Sequence, residues 1–250
     1  MDSQKNNART IGILFVIATV TAIIGLLLYT PVLHNPNYII DGSDNQKITW
    51  GAVFEILTAF ATIGISVTLY PILKEFDPRM AIAVVAFRVA EAMMIIIGIL
   101  CLLTIVTLNV QLRGEVNADQ QTYVVVGKML VTFHNWTFLY GPNVLLGPST
   151  LMTAYLLNKS NLVPKSVSVF GMISGPAIFA CGILVTLGLF EQLSVWGILL
   201  ALPVFSYEMF LAAYLIIKGF KRADVRPEPM QRAPLQNLFK LAEEKITSGN

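Results

Sequence analysis

Six apolar runs follow one another along the chain, and short polar connections separate them. A helix crosses a bilayer with about 20 apolar residues, because it advances ~1.5 Å per residue through ~30 Å of hydrocarbon. Every run is close to that length or longer, which predicts an all-α, polytopic integral membrane bundle of six transmembrane helices. The predicted spans are about 11–29, 50–70, 80–108, 138–157 with an outer extension from 123, 166–189 and 193–217.

Helix-breaking residues mark several of these runs. Pro71 is predicted to end the second helix, since proline removes a backbone hydrogen bond. Gly141-Pro142 and Gly147-Pro148 are predicted to break the second half of the fourth helical segment, and such breaks in a bundle can expose carbonyls to a ligand.

A polar tail, 221–250, follows the six-helix domain 1–220. Apolar residues recur in the tail at helical spacing: Leu235, Leu238, Phe239, Ala242 and Ile246. They predict a short amphipathic helix, about 235–246, on the inner leaflet. A partly ordered tail is the alternative, because short isolated helices are marginal in water.

Positive charge is distributed unequally between the two sides of a six-span arrangement. The terminal side carries Lys5, Arg9, Lys74, Arg79, Lys159, Lys165, Lys218, Lys221, Arg222 and Arg226, and the other side carries Lys47, Arg113 and Lys128. By the positive-inside rule, both termini are predicted to be cytoplasmic.

Composition agrees with a membrane location. Hydrophobic residues make up 55% of the chain and charged residues 13%, whereas soluble domains carry about 25% charge. The net charge of +2 gives no reason to expect a nucleic-acid partner. Cys101 and Cys181 lie in apolar runs without metal-ligand or disulfide spacing, so we interpret both as core residues.

Charged residues inside the apolar runs are the main candidates for function. Arg88 and Glu91 lie in the third run and Glu208 in the sixth. Counting from the cytoplasmic helix ends places Arg88 and Glu208 at about the same depth, ~12 to 14 Å. An uncompensated charge there costs about 3 kcal/mol or more, so we predict an ion pair, bidentate in geometry, between Arg88 and Glu208. Glu91, on the same helix face as Arg88, is predicted to be either a second partner or a protonated neighbour.

Three further polar residues extend this prediction toward the outer side. Glu55 and Asn143 lie ~20 Å from the cytoplasmic boundary, and His134 lies above them. Together with the charged residues they predict a polar column that binds or translocates a small polar or amphipathic molecule, or protons.

Two other functional classes remain open. The first is an intramembrane lipid-modifying enzyme that uses a carboxylate and His134 as base and acid, although no nucleophile motif is present. The second is a structural or regulatory subunit in which the buried ion pair locks helices together and the tail binds a partner. No metal site or other cofactor is predicted, because the candidate ligands spread over more than ~15 Å in depth and Arg88 would repel a cation.

Gly171 and Gly175 form a G-x-x-x-G pattern that favours close helix contact. The pattern predicts a close contact between helices. It also predicts a homo-oligomer in which two copies meet at Gly171 and Gly175. Membrane lipid and a small-molecule ligand are the other expected partners.

Several segments resemble one membrane family. They are Phe87-Arg88-Val89-Ala90-Glu91-Ala92, Leu69-Tyr70-Pro71, Tyr155-Leu156-Leu157 through Ser160 to Pro164-Lys165 and Gly171, and Glu208 with Tyr214-Leu215 and Lys218-Gly219. In order and spacing they are similar to the bacterial and archaeal family called Domain of Unknown Function 4386, over about Ala8 to Phe220. The resemblance implies a small multi-helix protein of a bacterial or archaeal cell membrane and implies no specific activity.

Overall fold

A computed structural model describes residues 2–42, 44–114 and 119–221, with side chains from residue 5 onward. Within these residues all regular elements are helical, so the all-α prediction is confirmed. They are α1 (Asp2–His34), α2 (Tyr38–Asp41), α3 (Asn45–Leu73), α4 (Pro78–Leu112), α5 (Gln120–Leu139), a π-helix (Tyr140–Leu145), α6 (Leu146–Lys159), α7 (Lys165–Thr186) and α8 (Val195–Ile217). The predicted tail helix at 235–246 lies outside the described residues.

Among the described residues, five helices are long and apolar enough to cross a membrane: α1 from Lys5, α3, α4, α7 and α8. The remaining long segment is the continuous helical stretch of α5, the π-helix and α6. It covers the predicted fourth span and its outer extension, but none of its three parts belongs to these five helices.

Prolines interrupt the helices less than the sequence predicts. Pro71 lies inside α3, which continues to Leu73, so the predicted stop at Pro71 is wrong. Pro148 and Gly147 lie within α6 and do not break it. Gly141-Pro142 does change the helix, since the backbone adopts π geometry there. Neighbouring helices can hold a proline-containing helix together, which explains why most of these positions remain helical.

The long helices form a closed ring around a central space. α1 packs on α3, α3 on α4, α6 on α7, α7 on α8, and α8 returns to α1. The composite α5–π–α6 segment packs along α4 and runs antiparallel to it, because Gly98 meets His134 and Glu91 meets Gly141. This ring positions side chains from different helices toward one another.

Capping side chains define where helices begin. The Asp77 carboxylate accepts hydrogen bonds from the backbone N–H groups of Arg79 (3.1 Å) and Met80 (3.0 Å), and Pro78 occupies the first turn of α4. Asp119 caps α5 and Ser194 caps α8 in the same way. These caps satisfy backbone donors that a helix leaves free at its N-terminus.

The distribution of polarity is that of a protein in lipid. Large apolar side chains such as Leu27, Phe60 and Leu100 are exposed on the outside of the ring. The interior contains Arg88 and Glu91 together with many Ser and Thr side chains. The many exposed large apolar side chains, which a water-soluble bundle would not carry, favour a membrane surrounding the helices.

Both ends of the described chain meet at one end of the ring, called here the terminal end. A Cβ atom on Gly219 would lie 3.7 Å from Cγ of Lys5. The α3–α4 and α6–α7 connections lie together, since Nζ of Lys159 donates to the carbonyl of Phe76 at 3.2 Å. The opposite end holds α2, where the Asn109 amide donates to the carbonyl of Ile39 at 2.8 Å.

Candidate functional site

Arg88, Glu91 and Glu208 form one buried ion cluster. Nη2 of Arg88 donates to Oε1 of Glu208 at 2.8 Å, and Nη1 lies 3.4 Å from Oε2 of Glu91. The predicted Arg88–Glu208 ion pair is therefore confirmed. Its geometry differs from the bidentate prediction, because the two arms of the guanidinium contact two different carboxylates. With both carboxylates ionised, the cluster carries a formal charge of −1.

Helix geometry brings the three charged side chains together. Arg88 and Glu91 are three residues apart on α4, so they project from the same face. α8 supplies Glu208 from the other side of the ring. The ring of Phe15 lies 5.9 Å from Cζ of Arg88, which adds an aromatic contact with the cation. The Tyr207 hydroxyl is buried without a hydrogen-bond partner among the described residues, and it is close enough to interact electrostatically with Arg88 and Glu208.

A central cavity of about 290 Å³ adjoins the ion cluster, and all three charged side chains line it. Its wall is otherwise mainly apolar, with Thr58 and Thr62 of α3 among the exceptions. Asn143 of the π-helix also lines it. The volume is close to the lower limit of small-molecule sites, about 300 Å³. A polar group can therefore reach the ion cluster while an apolar group occupies the rest.

The cavity opens sideways at the seam between α1 and α8. Near the terminal end the two helices touch, since a Cβ on Gly12 would lie 2.7 Å from the carbonyl oxygen of Ala212. Farther along, Ile23 of α1 and Ile198 and Phe205 of α8 line the cavity while remaining exposed at the bundle surface. This seam gives a small molecule a lateral path into the cavity.

A second cavity of about 510 Å³, called here the vestibule, lies toward the opposite end and is lined by His134, His34 and Glu191 among others. Three residues line both cavities and are named here the partition: Phe138, Gln192 and Leu193. The Gln192 amide nitrogen donates to the carbonyl of Phe138 (3.2 Å) and to Oδ1 of Asn143 (3.3 Å). These bonds connect the α7–α8 turn to the π-helix region between the cavities.

The structure does not place Glu55 in either cavity. Its buried carboxylate lies between α1 and α3 beside Gly25 and the Tyr29 hydroxyl. This hydroxyl interacts with Glu55 electrostatically but makes no hydrogen bond of ordinary geometry. The Tyr29 ring in turn meets the His134 ring edge-on, with 5.6 Å between centroids.

His134 has a structural contact rather than a catalytic partner. Its Nδ1 lies 3.3 Å from the carbonyl oxygen of Gly98, and its ring stacks on Phe138. Among the described residues, no hydrogen bond connects its ring to a carboxylate. The acid–base pair that the lipid-enzyme hypothesis requires is therefore not formed by direct contact.

The described part of the chain holds no group of three His, Cys, Asp or Glu side chains close enough to bind a metal ion. Cys181 is buried beside Asn143, whose amide nitrogen lies 3.7 Å from its sulfur. Its surroundings are those of a core residue.

Sequence reasoning missed the role of Gln192. The sequence shows it only as part of a short connection, Phe190-Glu191-Gln192. The position of Gln192 beside Glu191, in a turn between two apolar helices, was a usable signal. A polar side chain near the membrane needs hydrogen-bond partners, so a bond to a neighbouring helix could have been predicted. Tyr29 was also missed as a neighbour of the buried Glu55 carboxylate, and nothing in the sequence distinguishes it from the tyrosines elsewhere.

Gly171 and Gly175 pack inside the ring. A Cβ on Gly175 would lie 2.7 Å from the carbonyl oxygen of Gly147 in α6, and one on Gly171 would meet the Tyr207 ring. The close helix contact predicted from their spacing is thus made within one chain. A homo-oligomer through this pair stays a prediction, and it would require these packed helices to separate.

Comparison with known proteins gives a family and no function. No curated protein and no solved structure matches the chain. A family model described as "Domain of unknown function (DUF4386)" matches residues 10–219, nearly all of the helical region. The ion cluster, both cavities and the partition fall within the matched residues, and the chain belongs to the DUF4386 family.

Proposed function

We propose that this protein binds a small amphipathic molecule from the surrounding membrane. The polar group of the ligand contacts the Arg88–Glu91–Glu208 cluster, and its apolar part fills the central cavity. One observation carries the proposal: the buried ion cluster lines a largely apolar cavity that opens toward lipid between α1 and α8.

The same proposal includes six membrane crossings with both termini in the cytoplasm of a bacterial or archaeal cell. The α5–π–α6 segment runs along α4, one of the apolar spanning helices, and this supports a sixth crossing. Lysines and arginines near the terminal end support the orientation. The vestibule then faces the outside, and the partition lies between it and the ligand.

A simple ion-pair lock explains less of this arrangement. A lock needs two helices joined by opposite charges, and apolar packing would stabilise them as well. Here one guanidinium faces two carboxylates, and a cavity adjoins all three. The excess carboxylate and the adjoining space are both features of a binding site.

The test uses photoreactive probes with a dodecyl chain, a diazirine near the chain end and an amine, alcohol or carboxylate head group. The protein is reconstituted in lipid nanodiscs, irradiated, and analysed by mass spectrometry for adducts on cavity residues such as Ile178 and Val204. We expect at least one probe to label these residues at low concentration.

Ala201→Phe fills the cavity, because Ala201 lines it, and should abolish this labelling. Ala213→Phe is the matched control, since Ala213 is an exposed alanine on the same helix. Equal labelling in both variants with every head group would overturn the proposal.

A further inference from the structure

The Arg88–Glu91–Glu208 cluster has more negative than positive charge, and this determines which head group it can accept. Arg88 uses one arm of its guanidinium on each carboxylate. Two of its five N–H donors are therefore engaged by groups of this chain, one on each arm. An anionic ligand would be the third negative group around a single cation, in a cluster that already has one carboxylate in excess.

Hydrogen-bonding capacity points in the same direction. An ionised carboxylate has two oxygens and only accepts hydrogen bonds, and each contact with Arg88 uses one oxygen of each glutamate. The second oxygens of Glu91 and Glu208 remain as acceptors.

The exposed fractions of the three side chains also favour Glu208 as the residue that the ligand head group contacts. Its side chain is 16% exposed, compared with 6% for Arg88 and Glu91. Glu208 belongs to α8, one of the two helices that border the lateral opening. A head group that enters through this opening meets a carboxylate before it meets the guanidinium.

We infer that the ligand is a cationic amphiphile, a primary or secondary alkyl amine whose ammonium group binds between Glu208 and Glu91. This inference rests on the proposed function. An ammonium carries donors and no acceptor, so it complements the free carboxylate oxygens. Its charge makes the cluster neutral, which removes the cost of an uncompensated charge in the membrane. The apolar cavity wall then contacts the alkyl chain.

The three photoreactive probes distinguish this inference from its alternatives. The amine probe should label the cavity at concentrations about tenfold lower than the alcohol probe, because hydrogen bonds between charged groups are stronger than those with one neutral partner. The carboxylate probe should label least. Equal labelling by amine and alcohol would mean that a proton neutralises the cluster, and stronger labelling by the carboxylate would mean that Arg88 binds an anion; either result overturns the inference.

Glu208→Gln tests whether the preference originates at the cluster. This variant should lose the advantage of the amine and keep labelling by the alcohol, which also shows that the cavity is still formed. Glu91→Gln provides the same test if Glu208→Gln does not fold. An amine preference that survives both substitutions would overturn the inference, whereas no cavity labelling by any probe would instead remove the proposed function.

Discussion

Removing Arg88 should destabilise the protein much more than neutralising either glutamate. In Arg88→Met, two carboxylates face each other in the membrane without their cation. Breaking a buried charge pair in this way costs about 3–5 kcal/mol. In Glu208→Gln, Glu91 still balances Arg88 and the amide oxygen can still accept its hydrogen bond. The loss is then at most the difference between a charged and a neutral hydrogen bond, about 1 kcal/mol, because the substitution also removes the excess negative charge of the cluster.

The prediction extends to two further variants. Glu91→Gln should cost less than Glu208→Gln, because its contact with Arg88 is longer, 3.4 Å instead of 2.8 Å. The triple variant Arg88→Met/Glu91→Leu/Glu208→Leu should regain most of the stability lost in Arg88→Met, since a packed apolar replacement avoids the cost of burying charge.

Unfolding by sodium dodecyl sulfate in mixed micelles, followed by tryptophan fluorescence, measures this series. Lys47→Met is the matched control, because Lys47 pairs with Asp44 at 3.1 Å in an exposed position. Exposed pairs contribute about 0–1 kcal/mol. The reasoning is refuted if Arg88→Met is no less stable than Glu208→Gln, or if the triple variant is no more stable than Arg88→Met.

Three other predictions concern the partition, the helix contact and a helix cap. Gln192→Ala removes two hydrogen bonds between the cavities and should open the partition. A membrane-impermeant thiol reagent added from the outside should then modify Val204→Cys, in a background without Cys101 and Cys181, about tenfold faster. Gln111→Ala is the exposed control, and an unchanged modification rate in Gln192→Ala would argue against the partition. Gly175→Val should destabilise the protein by about 1–3 kcal/mol, because the valine side chain would collide with α6. Gly114→Ala, in an open position, should change the stability little. Equal losses of stability in the two variants would contradict the packing of α7 on α6. Asp77→Ala should cost about 1 kcal/mol by removing the cap of α4, measured in the same unfolding assay, and no loss would show that Pro78 alone sets this helix start.

The ion cluster could be predicted from the sequence because an α-helix has a constant rise per residue and a constant number of residues per turn. A constant rise per residue placed Arg88 and Glu208 at one depth, and the three-residue spacing placed Glu91 beside Arg88. The cost of burying unpaired charge then required contact. Bidentate pairing was wrong because Glu91 occupies one arm of the guanidinium.

The rotation of each helix about its own axis, which decides the neighbours that a side chain faces, could not be predicted from the sequence in the same way. Glu55 and Asn143 were predicted at one depth, yet Glu55 faces the α1–α3 contact and Asn143 the central cavity. A π-helix inserts extra backbone into a turn and changes the faces of the residues that follow. Whether a Gly-Pro pair produces such a turn or remains in an α-helix depends on neighbouring helices, as Gly141-Pro142 and Gly147-Pro148 show.

The most direct test of the account is a high-resolution cryo-electron microscopy map of the protein in lipid nanodiscs. The account predicts elongated density in the central cavity, with one end at Arg88, Glu91 and Glu208 and the remainder along the apolar wall toward Asn143. A map in which Glu208 has turned away from Arg88, or in which side chains fill the cavity, would contradict it.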